Sequence, residues 1–382
     1  MGILFYGPRI CGSSHLWMRR NFECLSPHIV TVIEEEMPEE YLSKNKKIVL
    51  LPKAIYYKSR LFRFISDINL DIKSKRIFSR EAKSKNVDKI IIHFLTNAVQ
   101  YRKFLKKFNK PVFVHCHGID VTWEVYSQNR KWRKLWWGEY VREVRKLPLN
   151  VSFIANSVNT KRKLEDINIS SDRIFISNPG VPIPINIKHR DPRKKRLIFL
   201  FIGRLQDVKG PDLTIKAFEL ACDRGLDGEL ILAGDGNLRI TCDKLKDESV
   251  YSDRIKVLGA VSAIEGAHLR NEADVFTAHS RKGPDSLQEE AFGVAFVEAM
   301  AAGLPVVTGA SGSLPEIVRN GIDGILFSPG DVEAHAKSLL EIAGNPDIRI
   351  SMGLSGTLRA REKYSIEQEN KGLLKILGLN NE

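Results

Sequence analysis

The sequence predicts an α/β protein made of two successive Rossmann-like domains, and three observations carry that reading. Short apolar runs alternate with charged, periodic segments through both halves, as parallel βαβ units require. The proline-rich, polar stretch "NPGVPIPINIKHRDPRKK" (178–195) interrupts the alternation once and reads as a linker. At 382 residues the chain also exceeds what one hydrophobic core usually supports.

The first half opens with the strand "ILFYG" (3–7), a turn and a helix-like stretch around 14–25. Further strands are expected at "IVLL" (48–51), "KIIIHFL" (89–95), "PVFVHCH" (111–117) and "VSFIANS" (151–157). After the linker come "RLIFLFIGRL", a helix over about 211–225, "GELILAGDG", a helix around 237–248, "IKVLGAV" and "ADVFTAHS". The helix of "EEAFGVAFVEAMAAG" (289–303) follows, then "PVVTGA", "GILFS" and helices from about 331 onward. The expected division is 1–188, 189–363, and a C-terminal helix over 364–382 that packs back toward the first domain. In such sheets ligands sit off the carboxyl ends of the strands, so a cleft between two facing domains is the expected site.

Composition removes several classes of function. The five cysteines are scattered and never spaced C-x-x-C, which argues for a reducing cytosol and against a disulfide framework or zinc module. "HCH" at 115–117 invites a metal reading, but no second cluster accompanies it in sequence, so a strand end with one useful histidine is expected. The start lacks the basic region of a secretory signal, and no apolar run approaches the roughly 20 residues that span a bilayer. Residues 1–190 carry 35 Lys and Arg against 17 Asp and Glu, while the remainder is acidic. The basic half therefore suits an anionic surface such as lipid headgroups or a phosphorylated acceptor.

The candidate chemistry lies in the second half. In "FIGRLQDVKGPDLTIKAF" (201–218), Arg204 and Lys209 flank a turn that enters a helix at Gly210-Pro211. Two cations beside helix-terminal amides suit a pyrophosphate, arginine binding it bidentately and lysine as a point charge. "LAGDGNLR" (232–239) adds a glycine turn at Gly234 and Gly236, as consistent with plain tight-turn chemistry as with a ligand contact. In "EEAFGVAFVE", Gly293 permits close backbone approach, and Phe292, Gly293 and Val294 present amides near a helix start. Glu290 can accept from sugar hydroxyls. Glu298, among apolar neighbours, can bind a vicinal diol such as ribose through both oxygens. A carboxylate placed there needs a partner, and a sugar nucleotide is the expected one.

The order and spacing of these pieces resemble the retaining GT-B glycosyltransferases of family 4, over about 196–330. "GRLQDVKG" looks like that family's arginine-lysine diphosphate motif, and "EAFGVAFVE" like its E-x7-E motif. "AGDGNLR" and "GSLPEIV" fall where the family has its G-E/D-G and G-x-x-E elements. The resemblance implies that Arg204 and Lys209 hold the donor diphosphate, beside Gly203 and Gly234. It implies that Glu298 holds the ribose, and that Glu290 faces the sugar, with the amides of Phe292, Gly293 and Val294. Gly12 and Ser13 in "CGSS" stand where the family has a glycine-rich first loop, and His117 in "HGID" where it has a sugar-facing histidine. "CGSSH" departs from the usual double glycine, and "SNPGV" (177–181) interrupts the common Asn-Gly-Val turn.

The reaction so implied is transfer of a sugar, with retention, from a nucleotide sugar. Cations and helix dipoles stabilise the leaving diphosphate without a metal or other cofactor; the sequence has no D-x-D pair. A UDP-sugar donor and a glycan or lipid-linked acceptor are the expected partners, and nucleic acid is not. The segment "NRKWRKLWWGEYVREVRK" (129–146) places Trp132, Trp136, Tyr140 and Val144 four residues apart, and "YYKSRLFRF" (56–64) repeats the chemistry. Such segments suit an anionic lipid interface, so a cytoplasmic protein peripheral to the inner face of the membrane is expected. The alternatives are a soluble small-molecule acceptor, a nucleotide-sugar epimerase, or a non-catalytic basic scaffold.

Overall fold

Each half of the chain builds one fully parallel sheet. In the computed structural model, which describes residues 1–7, 16–34, 47–51, 72–123 and 140–379, the chain falls into two compact units. The first comprises Met1–Asn156, Thr160–Ser177 and Asn370–Glu382, the second Ser157–Asn159 and Asn178–Glu369. The proline-rich stretch 178–195 therefore goes with the second unit.

In the first unit the strands are β1 (Ile3–Tyr6), β2 (Ile29–Glu34), β3 (Lys47–Leu50), β4 (Lys89–His93), β5 (Val112–Cys116), β6 (Val151–Ala155) and β7 (Ile174–Ile176). They lie in the order β3-β2-β1-β4-β5-β6-β7. One face packs Leu4, Tyr6, Phe78, Ile90, Ile92, Tyr101 and Phe153. The other packs Ile3, Phe5, Met18, Phe22 and Ile91 with Leu373, Leu377 and Leu379 from the end of the chain. Burial on both faces explains why these strands read as continuous apolar runs.

The second unit contains β8 (Leu197–Ile202), β9 (Gly228–Ala233), β10 (Ile255–Gly259), β11 (Val275–Ala278), β12 (Val306–Gly309) and β13 (Gly324–Phe327). Their order is β10-β9-β8-β11-β12-β13. Both sheets thus reverse strand order beside their first strand, between β1 and β4 and between β8 and β11. The crevice in which such sheets bind ligands opens at that switch point, off the carboxyl ends. In the second unit it lies next to the loop that carries Arg204 and Lys209.

Candidate functional site

β8 ends at Ile202, and the chain turns through Gly203–Gly210 into the helix Pro211–Asp223. Gly210 is left-handed (φ 55°), and a Cβ there would stand 2.2 Å from the His279 carbonyl oxygen, so glycine is required. Thr214 ties this corner to β11: its hydroxyl donates to the Gly210 carbonyl at 2.9 Å and accepts from the His279 amide at 3.0 Å. Gly234 meets a related constraint, since a Cβ would lie 1.8 Å from the Gly203 carbonyl oxygen. The glycine turn after β9 therefore has a packing reason: it lies flat against the backbone of the Arg204 loop, and the Leu205 amide donates to the Asp235 carbonyl at 2.9 Å.

Asp207 fixes the loop from below. Its carboxylate accepts from the amides of Ser286 (2.8 Å), Asp285 (3.0 Å) and Val208 (2.8 Å). Burial works to raise this carboxyl, but those amides and the Ser286 hydroxyl outweigh it and hold it below the ordinary carboxylate range. Arg204 stands exposed, its guanidinium without an ion pair among the described residues. Lys209 points inward to an ion pair with Glu290, the two side chains only 16% and 10% exposed. The Lys209 ammonium also lies 5.6 Å from the Phe296 ring centre.

Glu290 is held by the Gly/Ser loop: its carbonyl accepts from the Ser313 amide at 2.9 Å and hydroxyl at 3.1 Å. A Cβ on Gly312 would meet that same carbonyl at 2.1 Å. Gly293 (φ 92°) caps the helix Val294–Ala301. The Phe292 ring is buried edge-on to Tyr364, so only its backbone can face a ligand. Glu298 has a partner inside the chain. Arg270, on the helix Ala263–Glu272, approaches it at 3.1 Å, the pair being 12% and 22% exposed. A ligand is thus not needed to explain why a carboxylate stands in that apolar run, and Arg270 carries no motif that sequence reading could detect.

In the first unit, His117 is half-buried just beyond β5. Its amide donates to Asp120 Oδ1 at 2.8 Å, and the Leu95 amide donates to Oδ2 at 2.8 Å. Burial pushes the Asp120 carboxyl up to about 6 against the pull of those amides. The His117 ring lies against Trp17, centroids 3.8 Å apart, and its Nε2 is 3.2 Å from Nδ1 of His93. Phe94, at the end of β4, takes φ 67°, a strained conformation of the kind that gathers at functional sites. Gly12 and Ser13 lie outside the described residues. The notion that "HCH" lacks a companion needs correction: β4 brings His93 beside His115 and His117.

The aromatic face expected at a lipid interface is corrected in part. Tyr140 and Val144 are buried in the first unit's core, and the Tyr140 hydroxyl donates to the Asp120 carbonyl at 2.8 Å. Trp132, Trp136, Trp137 and the segment 56–64 lie outside the described residues. Among the described residues no helix is long and apolar enough to cross a membrane.

With this geometry in place, the comparisons define the class. Residues 183–358 match the family of glycosyl transferases group 1. That match falls within the second unit and takes in just under half of the chain, and the fold is GT-B, with two Rossmann-like α/β units. The chain is 27% identical over 288 residues to the amylovoran biosynthesis glycosyltransferase AmsK of Erwinia amylovora, covering 73% of this chain and 66% of that one. It is 30% identical over 175 residues to a GDP-mannose-dependent monoacylated alpha-(1-6)-phosphatidylinositol monomannoside mannosyltransferase of Corynebacterium glutamicum, covering 46% and 45% of the two chains. These matches span less than two thirds of the relatives' own lengths. Anabaena HepE, solved with UDP and glucose, superposes with a TM-score of 0.75 at 18% identity over 99% of each chain. Sucrose-phosphate synthase from Thermosynechococcus elongatus gives 0.76 at 18% identity over 99% and 98%.

Proposed function

We propose that this protein is a retaining glycosyltransferase that moves a sugar from a nucleotide sugar, a UDP-sugar first, to a glycan or lipid-linked acceptor. The observation that carries this is the placing of exposed Arg204 and the inward Lys209–Glu290 pair off the end of β8, at the sheet's switch point. Arg204 takes the diphosphate bidentately from solvent. Lys209 shares its charge between Glu290 and the incoming phosphate, and both cations stabilise the charge that develops as the diphosphate leaves. That role needs no metal at the donor. Glu298 accepts from the ribose diol with Arg270 behind it, and the amides at Gly293 and Val294 face the sugar or phosphate oxygens. His117 contacts sugar hydroxyls. Glu290 faces the sugar near the reacting carbon; the departing phosphate assists deprotonation of the acceptor, so no separate base is assigned.

The acceptor belongs to the basic first unit. Along the helix over 72–82, Lys75, Arg76 and Arg80 line one groove with Ile72, Ser79 and Lys83, which supports an anionic acceptor or lipid surface at the inner membrane face. The named relatives favour polysaccharide or lipid-linked acceptors. Burial of Tyr140 and Val144 favours the second reading, a soluble acceptor, because it withdraws half of the four-residue face from any lipid.

Thermal-shift and calorimetric titration with UDP-, GDP- and ADP-sugars tests the donor, followed by radiolabelled transfer to lipid extracts and to soluble sugars. Stabilisation by one nucleotide sugar and not by the free sugar is expected. Salt-sensitive binding to anionic vesicles with no nucleotide affinity would replace the enzyme with a scaffold.

A further inference from the structure

We propose that His93, His115 and His117 form a binding site for a late first-row divalent ion, zinc foremost, separate from the donor-binding residues of the second unit. Topology makes the cluster. His93 on β4 stands opposite His115 on β5 in the parallel register. His117 lies two residues beyond His115 and so returns to the same face of the sheet. One ligand-capable nitrogen from each of the three lies within 4.8 Å of the others. His93 Nδ1 and His117 Nε2 are 3.2 Å apart. Two nitrogens bound to zinc at roughly 2.0–2.1 Å and a tetrahedral angle stand about 3.3 Å apart, so this pair is already at ligand spacing.

A second observation points to the same ion independently. His115 is 2% exposed, and both of its ring nitrogens are buried with no hydrogen-bond partner. A buried imidazole always carries at least one N–H or lone pair that calls for a partner. A bound ion supplies one to the nitrogen that faces the cluster.

The surroundings choose the ion. The walls are aromatic: Phe5 is 4.9 Å from His93, Phe94 4.8 Å from His117, and Trp17 3.8 Å from His117, between ring centres. The nearby Asp120 carboxylate spends both oxygens on the amides of His117 and Leu95. Three neutral imidazoles without a carboxylate suit zinc, nickel or copper, and exclude calcium and magnesium, which need oxygen ligands. His117 is half-buried, so the fourth position opens outward. An ion held through His117 Nε2 occupies the nitrogen that a sugar hydroxyl would use; zinc is therefore an inhibitor of any reaction that needs that contact.

The site is tested on the untagged full-length chain, stripped with chelator and dialysed against Zn2+ or Co2+ without donor or acceptor, so the result does not depend on the proposed activity. One ion per chain and the intense visible bands of tetrahedral Co2+ are expected. His93→Gln and His115→Phe should each weaken zinc more than ~100-fold, beyond the ~10–100-fold of an outer-shell change, with circular dichroism checking the fold. Unchanged zinc affinity in folded His93→Gln overturns the site. Since His115→Phe alters a core position and can fail to fold, the wild-type Co2+ spectrum stands as a separate test: weak octahedral bands, or none, also overturn it.

Discussion

The two sheets share one strand order, yet their carboxyl ends carry opposite chemistry. The second unit presents ion pairs, Lys209–Glu290 and Arg270–Glu298, beside an exposed Arg204. The first presents imidazoles among aromatic rings. Histidines sharpen the contrast. In the second unit Gly330 donates its amide to His279 Nε2 at 2.9 Å, which makes that nitrogen an acceptor and places the proton on Nδ1. His279 Nδ1–H then donates to His335 Nδ1 at 3.1 Å, and His335 Nε2–H donates to the Thr277 hydroxyl at 2.7 Å. All four ring nitrogens are accounted for, so this pair is architecture beneath the Lys209 loop. His115 in the first unit has no such accounting. Similar residues on similar scaffolds are separated by whether their hydrogen bonds close.

The largest effect is expected where the second unit's charge is most enclosed. Lys209→Ala leaves Glu290 unpaired, and removing one member of a buried pair costs about 3–5 kcal/mol. Denaturant melts should show that loss, and Lys209→Ala combined with Glu290→Ala should recover most of it. Nucleotide affinity should fall more in Lys209→Ala than in Glu290→Ala, since the lysine meets the phosphate. Equal affinities in the two single variants would remove lysine from the diphosphate role.

Acidification should test the second unit's histidine pair next. Burial holds His279 down to about 4, with Arg281 adding to the effect and Asp331 opposing it. His335 is also lowered by burial and by His279. Their folded values lie below the ordinary 6.5, so the unfolded chain takes up protons first as pH falls. Stability is full above pH 6.5 and is lost between 6.5 and about 4, at about 1.4 kcal/mol per unit for each such group. His279 alone therefore removes up to about 3 kcal/mol. Melting temperatures from pH 7.5 downward measure this, and His335→Gln, which cannot take up the proton, should flatten the limb. An acid limb that begins only below pH 4 would show that the pair does not limit stability.

The same contrast marks what was legible in the sequence. Every strand named for the second half is found: "LIFLFI" and "GELILA" are mostly buried and read as unbroken apolar runs, while "IKVLG" at the sheet edge alternates, with Lys256 and Leu258 exposed. In the first half β2 (Ile29–Glu34) escaped, its apolar run passing straight into an acidic segment. The helix Ala263–Glu272 escaped too: Ile264 is exposed and Gly266 is its buried residue, so no apolar stripe announces it. Tyr140 and Val144 share one buried face, but spacing cannot say whether a face meets lipid or core. Arg204, Lys209, Glu290 and Glu298 come from short motifs with chemical meaning. Arg270 and His93 come from pairing across helices and strands, which no local pattern encodes.

Asp120 offers a smaller test in the first unit. Asp120→Asn keeps the shape but leaves one acceptor for two amides, those of Leu95 and His117. One buried N–H then loses its partner, costing about 1–3 kcal/mol. The His117 loop should loosen, seen as faster amide exchange at 117–122, while affinity for the free nucleoside diphosphate, assigned wholly to second-unit residues, stays unchanged. A matching fall in diphosphate affinity would erase the distinction between the two sheet ends.

The smallest effect belongs to Arg270. Its guanidinium faces one oxygen of Glu298 and leaves the other for a ribose hydroxyl, so it acts as a positioning residue rather than a competitor. Arg270→Ala frees the carboxylate to rotate, and re-ordering one such side chain costs about 0.5–1.5 kcal/mol on binding. Donor KM should therefore rise roughly 3–10-fold with kcat nearly constant, the pattern of lost uniform binding. Arg270→Lys should recover part of it. A lower KM in Arg270→Ala would invert the assignment, making the Arg270–Glu298 pair a plug that the nucleotide must displace and the enclosed charge of the second unit an obstacle to its ligand.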